Sequence, residues 1–146
     1  MFAVSDYAIL RRAEAPDYSG DAPSAFLGYS RPLGAQQLAL NVRVLAPHTP
    51  HVPPGGDPAW GHSHRTIEEI YFVLDGEVRI KLNDEVETLR RCDAVWIPPA
   101  TVRAVRNDTD EEAAFAMISA RVEDFRSESQ PQAGFWRAEP PAHARS

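Results

Sequence analysis

Thirteen prolines spread along 146 residues are the feature that most restricts the fold of this chain. Proline removes a backbone donor and breaks helix interiors, so long helices are disfavoured. Apolar residues instead recur at every second position in 38–44 and 77–82, the period of a half-buried strand. Asn83 and Asp84 then supply turn chemistry before a returning strand. The pattern predicts an all-β fold of many short strands, a sandwich or a barrel.

Three more short apolar segments follow, each bounded by turn residues. They are Ala94–Ile97, Val102–Val105 and Ala113–Ile118. Two stretches lack strand periodicity: 47–58, which is rich in Pro, Gly and His, and the polar tail 123–146. A chain of this length can bury one hydrophobic core, so we expect a single globular domain.

Composition makes several classes of function improbable for this sequence. The net charge is -6 and the basic residues are scattered, so no nucleic-acid partner is expected. No apolar stretch is long enough to cross a bilayer, so no membrane partner is expected. The lone Cys92 has no internal partner, and the first residues lack the pattern of a signal peptide. These observations favour the cytoplasm.

Two histidines and a glutamate give the clearest chemical signal. Residues i and i+2 of a strand share a face, so His62 and His64 present two imidazoles side by side. Glu69 heads the next apolar run and joins them if the two strands pair, whereas alternation sends Glu68 to the opposite face. Two imidazoles and a carboxylate form a ligand set with open coordination positions. The sequence predicts an open site for a divalent transition metal: Fe, Mn, Ni or Zn.

The spacing around these ligands resembles the first sequence motif of the cupins. That motif runs Gly, five residues, His-x-His, three or four residues, Glu, six residues, Gly. Gly56, His62, His64, Glu69 and Gly76 match it at every position. Such a resemblance implies an all-β, double-stranded jelly-roll barrel whose mouth holds a metal bound by three histidines and a glutamate.

The second cupin motif is only partly present. Pro98 and Asn107 match it, whereas Cys92, Ala100 and Arg103 stand where the family has two glycines and its third metal-binding histidine. A guanidinium stays protonated and has no lone pair to offer, so Arg103 does not replace that histidine as a ligand.

Two interpretations of Arg103 stay open on sequence alone. In one, His62, His64 and Glu69 keep the metal while Arg103 binds an anionic group of the substrate. In the other, Arg103 forms a bidentate pair with Glu69 in place of the ion, and the domain binds a small molecule without metal. His48 or His51, just upstream, is a further candidate for a replacement ligand.

Tyr71 shares the strand face of Glu69 and is predicted to contact the substrate. His48, His51 and Tyr71 are the candidates for a general base by position alone. We therefore expect a metal-binding protein that binds or acts on a small anionic metabolite. Oxygenase, isomerase or a related metal-dependent activity is one hypothesis, and a metal-free binding or sensing module is the alternative.

The likeness to cupins extends over 38–121, which we expect to form the barrel core of a single domain spanning 1–146. The segment 1–37 is then an N-terminal covering segment or an edge strand, and 122–146 is a C-terminal tail. Small cupins resemble one another in pairing, so a homodimer is expected. The aromatic residues 135–136 suit docking onto a partner subunit, and a tail that folds over its own barrel is equally compatible.

Overall fold

The computed structural model describes residues 6–137. Strands dominate this part of the chain, joined by a 3-10 turn at Arg12–Glu14 and by two four-residue helices, α1 (Ser30–Leu33) and α2 (Phe125–Glu128). The strands are β1 (Ala25–Gly28), β2 (Leu38–Leu45), β3 (Thr49–Pro50), β4 (Gly61–His64), β5 (Glu69–Asp75), β6 (Glu77–Leu82), β7 (Glu85–Arg90), β8 (Ala94–Ile97), β9 (Arg103–Asn107), β10 (Ala113–Ala120) and β11 (Ser129–Gln132). The absence of long helices agrees with the proline content.

The strands form two antiparallel sheets. The first has the order β1-β2-β10-β5-β8, and the second has the order β11-β4-β9-β6-β7 with β3 paired to β9. Consecutive strands such as β4 and β5 lie in different sheets, which is the jelly-roll connection. The all-β jelly-roll prediction is confirmed, although the hydrogen-bonded ladder runs as two sheets and does not close into one continuous barrel.

The core lies between the two sheets. Alternation sends every second side chain inward, and the buried cluster joins residues from both sheets. Its members are Leu45, Tyr71, Val73, Val78, Ile80, Ile97, Val105, Ala113, Phe115 and Met117. This cluster occupies one end of the sandwich and leaves the other end for polar side chains.

In strand β2 the polar face points inward and the apolar face points outward, which is the reverse of a simple hydrophobic pattern. Its alternation is present, but Leu38 is 66% exposed whereas Arg43 is 1% exposed. Arg43 lies opposite Phe115, whose side chain is in the core, so both point between the sheets. The alternation predicted the strand correctly and gave no sign that its polar face points inward.

Tight turns fix the register of the strands. Asn83 has a φ of 53° in the two-residue β6-β7 hairpin, as its turn chemistry predicts. Gly76 has a φ of 69°, and a Cβ there would lie 2.7 Å from the backbone oxygen of Glu112. Cys92, which stands in place of a motif glycine, keeps the left-handed conformation with a φ of 70°. The turn geometry is therefore retained without the glycine.

Both ends of the described chain add to the sheets. β1 pairs with β2, and β11 pairs with β4. Beyond β11, Trp136 packs on the outer side of the second sheet, where the Arg106 guanidinium lies 3.7 Å from its ring centre. Within residues 6–137, no helix is both long and apolar enough to pass through a lipid bilayer.

Candidate metal centre and ligand cavity

The structure brings His62, His64 and Glu69 together. The histidines lie on β4 of the second sheet and the glutamate begins β5 of the first, so the cluster bridges the two sheets. One ligand atom from each residue lies within 4.8 Å of the other two, and all three residues are buried. Adjacent Glu68 is exposed, as the alternation predicted.

The contact between His64 and Glu69 has the geometry of two ligands that share an ion. His64 Nε2 lies 2.9 Å from Glu69 Oε1, yet the two atoms are not aligned for a hydrogen bond, and Nε2 has no other partner. Two adjacent ligands that each lie about 2.1 Å from one ion are separated by about 3 Å. The donor set of two imidazoles and one carboxylate therefore fits a divalent transition metal.

The His62 imidazole is in the form that binds metals. Burial, reinforced by the positive charge of Arg103, holds the pKa of His62 far below its usual range, so this ring is neutral. Trp60 stacks on the His62 ring at 4.5 Å, and the His64 ring meets His62 edge-on at 5.0 Å. Aromatic packing therefore fixes the orientation of both imidazoles.

Arg103 points into the site from β9, directly opposite His62 in the register. Its side chain has no exposure, and Nη2 donates to the Pro98 carbonyl oxygen at 3.1 Å. Nη1 lies 3.8 Å from Glu69 Oε1, which is an ion pair without a hydrogen bond. The bidentate Arg103–Glu69 pair of one sequence interpretation is not formed.

Polar atoms without partners concentrate at this place. Buried polar atoms in folded proteins nearly always have a hydrogen-bond partner, so each exception needs an explanation. Six buried side-chain nitrogen atoms lack one within residues 6–137, and five of them belong to this site. Those five are His62 Nδ1, His64 Nδ1, His64 Nε2, Arg103 Nε and Arg103 Nη1.

A cavity of about 820 Å³ opens from the cluster between the sheets. Its size is in the range of sites for small organic ligands, about 300–1,000 Å³. His62, Glu69 and Tyr71 line its inner part, whereas Arg103 and His64 are not among the lining residues. Aromatic and sulfur-containing side chains form much of the remaining wall: Tyr18, Phe26, Trp60, Met117 and Phe125.

Tyr71, which is predicted to contact the substrate, is one of the residues that line the cavity. Its hydroxyl donates to Glu69 Oε1 at 3.3 Å and so helps to orient that carboxylate. Burial, followed by the negative charge of Glu69, raises the pKa of Tyr71 well above its usual value. The phenol therefore stays protonated and does not act as a base near neutral pH.

The cavity wall also holds buried Arg43 and His51, which form a chain of three polar residues with the partly exposed Asp21. Sequence reasoning did not identify these three residues as a unit. Arg43 Nε donates to His51 Nδ1 at 3.0 Å, and Arg43 Nη2 donates to Asp21 Oδ2 at 2.9 Å. Hydrogen bonding from Arg43, despite the opposing effect of burial, lowers the pKa of Asp21, which stays ionised. No short motif joins these residues, because they come from three separate segments.

The contact with Arg43 fixes the protonation of His51. Burial first, and the Arg43 charge second, lower the pKa of His51 to about 3. A neutral ring whose Nδ1 accepts a hydrogen bond carries its proton on Nε2, so neither nitrogen has a lone pair for a metal. His48 lies elsewhere, on the surface, with Nε2 at 2.6 Å from Asp110. Neither histidine is a replacement ligand, and none of the three candidate bases has a suitable state and position.

The state of His51 predicts a pH dependence of stability. Its pKa is about 3 in the folded chain and about 6.5 when unfolded, so the unfolded state binds more protons between these values. The free energy of unfolding should fall with decreasing pH in this window, by about 1.4 kcal/mol per pH unit in its middle. Urea unfolding from pH 7 to pH 4 measures the slope. His51→Gln, which keeps an acceptor for Arg43, should reduce it, and parallel curves for the two proteins would refute this protonation state.

Comparison with known proteins identifies similar sequences and folds. A cupin domain family profile matches residues 49–119, which contain the metal-ligand cluster and Arg103. An uncharacterized protein of Methanocaldococcus jannaschii is 35% identical over 54 residues, 37% of this chain. The matched stretch spans less than half of that relative, 43% of its length.

Solved structures agree with the fold. A cupin protein from Bacteroides fragilis superposes with a TM-score of 0.63 at 21% identity, covering 84% of this chain and 91% of the other. The polyketide cyclase RemF from Streptomyces resistomycificus gives 0.66 at 15% identity, covering 88% and 89%. A sugar phosphate isomerase from Silicibacter pomeroyi gives 0.60 at 17%, covering 75% and 76%. At these identities the likeness shows the fold alone, which is the cupin fold that the family match over residues 49–119 also indicates.

Proposed function

We propose that this chain is a metal-binding cupin that binds, through an anionic oxygen group, a small organic ligand in the cavity between its sheets. His62, His64 and Glu69 hold one divalent transition metal ion. Arg103 balances the charge of Glu69, and Tyr71 contacts the ligand. The observation that carries the proposal is the cluster of five unpartnered buried nitrogens around Glu69.

These nitrogens need two kinds of partner at once. An imidazole lone pair is satisfied by a cation, whereas the Nε and Nη1 groups of Arg103 are donors and need an oxygen acceptor. A metal ion that carries an oxygen ligand supplies both in the same place, and the second nitrogen of the His64 ring, an N–H donor, needs an acceptor of its own. A cation alone leaves the donors of Arg103 unpaired, and an anion alone does not use the imidazole lone pairs.

The charges in the site favour an anionic ligand. The charges of Glu69 and Arg103 cancel, and the His62 ring is neutral, so the charge of a divalent ion remains uncompensated among these protein groups. A carboxylate, enolate or phosphate oxygen at an open coordination position compensates this charge. The aromatic wall suits an apolar body on the same ligand, and the His51 Nε2–H group offers it a fixed hydrogen-bond donor.

When bound, the ion acts as a Lewis acid that polarises an oxygen atom of the ligand. The protein groups orient and enclose the ligand: Trp60 fixes the His62 ring, Tyr71 orients Glu69, and Arg43 fixes the donor of His51. Neither His51 nor Tyr71 accepts a proton near neutral pH. The site therefore favours metal-centred chemistry, of the oxygenase or isomerase kind, that does not depend on either of them as a base.

The second candidate function is a metal-free binding or sensing module. The 3.8 Å contact between Arg103 and Glu69 is the observation in its favour. In that case Arg103→Ala leaves the buried carboxylate unpaired and costs about 3 kcal/mol of stability. In the metal-binding case the same substitution removes a positive charge beside the ion, so the affinity for the ion is kept or increased.

Calorimetric titration of the metal-stripped protein with Co²⁺ tests the proposal. We expect one ion per chain, and at least equal affinity in Arg103→Ala. Failure of the wild-type chain to bind Co²⁺ and Mn²⁺, combined with a strongly destabilised Arg103→Ala variant, would favour the metal-free module instead.

Three further expectations belong to the proposal. The described termini add edge strands to the sheets, which supports one domain with 38–121 as its core. Cys92 is an exposed, free cysteine, which suits a reducing compartment such as the cytoplasm. A homodimer is the expected assembly.

A further inference from the structure

A short loop, residues 65–68, joins two of the candidate metal ligands directly, and we call it the connecting loop. It leaves β4 of the second sheet after His64 and enters β5 of the first sheet at Glu69. The two ligands therefore lie in different sheets, and His64 Nε2 lies 2.9 Å from Glu69 Oε1 across the gap. Because the loop is the direct link between them, whatever fixes its conformation also fixes the position of one ligand relative to the other.

One residue, Glu128 of α2, accepts hydrogen bonds from three consecutive backbone N–H groups of the connecting loop. Its main-chain oxygen accepts from Arg65 N at 3.0 Å. Its carboxylate oxygen Oε1 accepts from Thr66 N at 2.6 Å and from Ile67 N at 2.8 Å. The other carboxylate oxygen, Oε2, accepts from the Thr66 hydroxyl at 2.9 Å. Most of the polar backbone of the loop is therefore held by a single residue far along the chain.

The Glu128 carboxylate is buried and ionised. The residue is only 7% exposed. Burial raises the pKa of Glu128, but the hydrogen bonds from Thr66 and Ile67 outweigh burial and lower the pKa below its usual value. Hydrogen bonds to an ionised acceptor are about twice as strong as those between neutral groups. The carboxylate therefore restrains the loop more firmly than a neutral acceptor does.

The segment that carries Glu128 contacts the metal ligands at two more points. Ser129 pairs with His64 where β11 joins β4. The Phe125 ring, at the start of α2, meets the His64 ring edge-on at 5.7 Å. The whole segment lies outside residues 49–119, which match the cupin domain profile. The contact with the connecting loop is therefore made by a part of the chain that the profile does not cover.

We propose that Glu128 is a positioning residue of the metal centre, which sets the ligand geometry by holding the connecting loop. This inference rests on the metal site proposed above. A functional constellation of side chains must be held to within about 0.5 Å of its working geometry. Without the Glu128 side chain, the N–H groups of Thr66 and Ile67 lose their acceptor, and the loop must rearrange to satisfy them. His64 and Glu69 then no longer converge on one position.

Titration of the metal-stripped chain with Co²⁺ tests this role, with affinity measured by calorimetry and ligand geometry by the visible absorption of the bound ion. We expect Glu128→Ala to weaken Co²⁺ binding by about 10–100-fold, as is typical for loss of a group that orients a metal ligand. The absorption spectrum of the ion that still binds should also change, because the ligands around it have moved.

Two conservative variants separate the reach of the side chain from its charge. Glu128→Gln loses the charge but keeps a carbonyl oxygen at the same reach for both N–H groups, so it should retain most of the affinity and the wild-type spectrum. Glu128→Asp keeps the charge but is one methylene shorter, so it should bind Co²⁺ more weakly than Glu128→Gln. This comparison decides the question even if Glu128→Ala does not fold.

Asn107→Ala is the matched control for stability. The Asn107 side chain is also buried and holds backbone groups, but its amide donates to the carbonyl oxygens of Leu45, Ala46 and Glu111, away from the connecting loop. This variant should melt at a lower temperature than the wild-type chain and keep its Co²⁺ affinity and spectrum.

Three results would overturn the role given to Glu128. They are unchanged Co²⁺ affinity in Glu128→Ala, tighter binding by Glu128→Asp than by Glu128→Gln, and a loss of affinity in Asn107→Ala as large as that in Glu128→Ala. A wild-type chain that binds no Co²⁺ would overturn the metal site itself, and this inference with it.

Discussion

Replacing His62 and His64 together by alanine is expected to remove the metal ion from the purified protein. The two imidazoles supply two of the three ligands, and loss even of a group that merely orients a ligand reduces metal affinity by about 10–100-fold. We expect wild-type protein to carry close to one ion per chain and the double variant to carry less than about a tenth of that. Elemental analysis by plasma mass spectrometry, after dialysis against a weak chelator, measures both.

His48→Ala is the control for this experiment. It removes an imidazole that is 62% exposed and paired with Asp110, far from the cavity-lining residues. The metal content of this variant should equal that of the wild-type chain. Equal metal content in the wild-type and double-variant proteins would show that any bound ion lies elsewhere.

Arg43→Ala is expected to cause a large loss of stability by a substitution outside the metal centre. Arg43 is buried, and its removal leaves Asp21 without its cation and His51 Nδ1 without its donor. Breaking a fully buried ion pair in this way costs about 3 kcal/mol, and this is the upper value here because the Asp21 side chain is 32% exposed. For a chain of this size we expect the melting temperature to fall by up to about 10 °C. Differential scanning calorimetry measures it.

Arg90→Ala is the matched control, because Arg90 also pairs with a carboxylate, Glu77, but its side chain is 69% exposed. An exposed ion pair contributes less than about 1 kcal/mol, so this variant should melt close to the wild-type chain. Arg43→Lys keeps a charge near Asp21 but lacks the planar donor set, so an intermediate loss is expected. Equal melting temperatures for Arg43→Ala and Arg90→Ala would contradict the role given to the buried chain.

Most of the fold and the candidate metal ligands could be predicted from the sequence. Proline content and two-residue periodicity predicted short strands, and motif spacing selected Glu69 over Glu68. Asn107, which matches the second motif, has a structural role that its hydrogen bonds show. Its side-chain amide donates to the carbonyl oxygens of Leu45, Ala46 and Glu111 and so connects β9 to two neighbouring segments.

The chain formed by Arg43, His51 and Asp21 could not be predicted from the sequence, for a physical reason. Alternation reports the period of a strand but not which face is inward. In β2 the apolar side faces outward and the polar side lines the cavity, so Arg43 resembles an ordinary solvated residue in the sequence. Asp21 lies 22 positions earlier, and only the pairing of β1 with β2 brings its segment close.

Arg103 shows the same limit in another form. Its place in the second motif predicted a position near the histidines, and the strand register confirms that position. Whether Arg103 replaces an ion or lies beside one depends on a difference of a few ångströms in the distance between its guanidinium and Glu69. The observed 3.8 Å separation and the unpartnered donors of Arg103 support the second arrangement.

A crystal structure of the protein grown with Co²⁺, with anomalous diffraction collected above the cobalt absorption edge, is the most direct test of the metal centre. The account predicts one anomalous peak per chain, about 2.1 Å from an imidazole nitrogen of His62, an imidazole nitrogen of His64 and a carboxylate oxygen of Glu69. A map without a peak there, in which the Arg103 guanidinium makes two hydrogen bonds to Glu69, would contradict it.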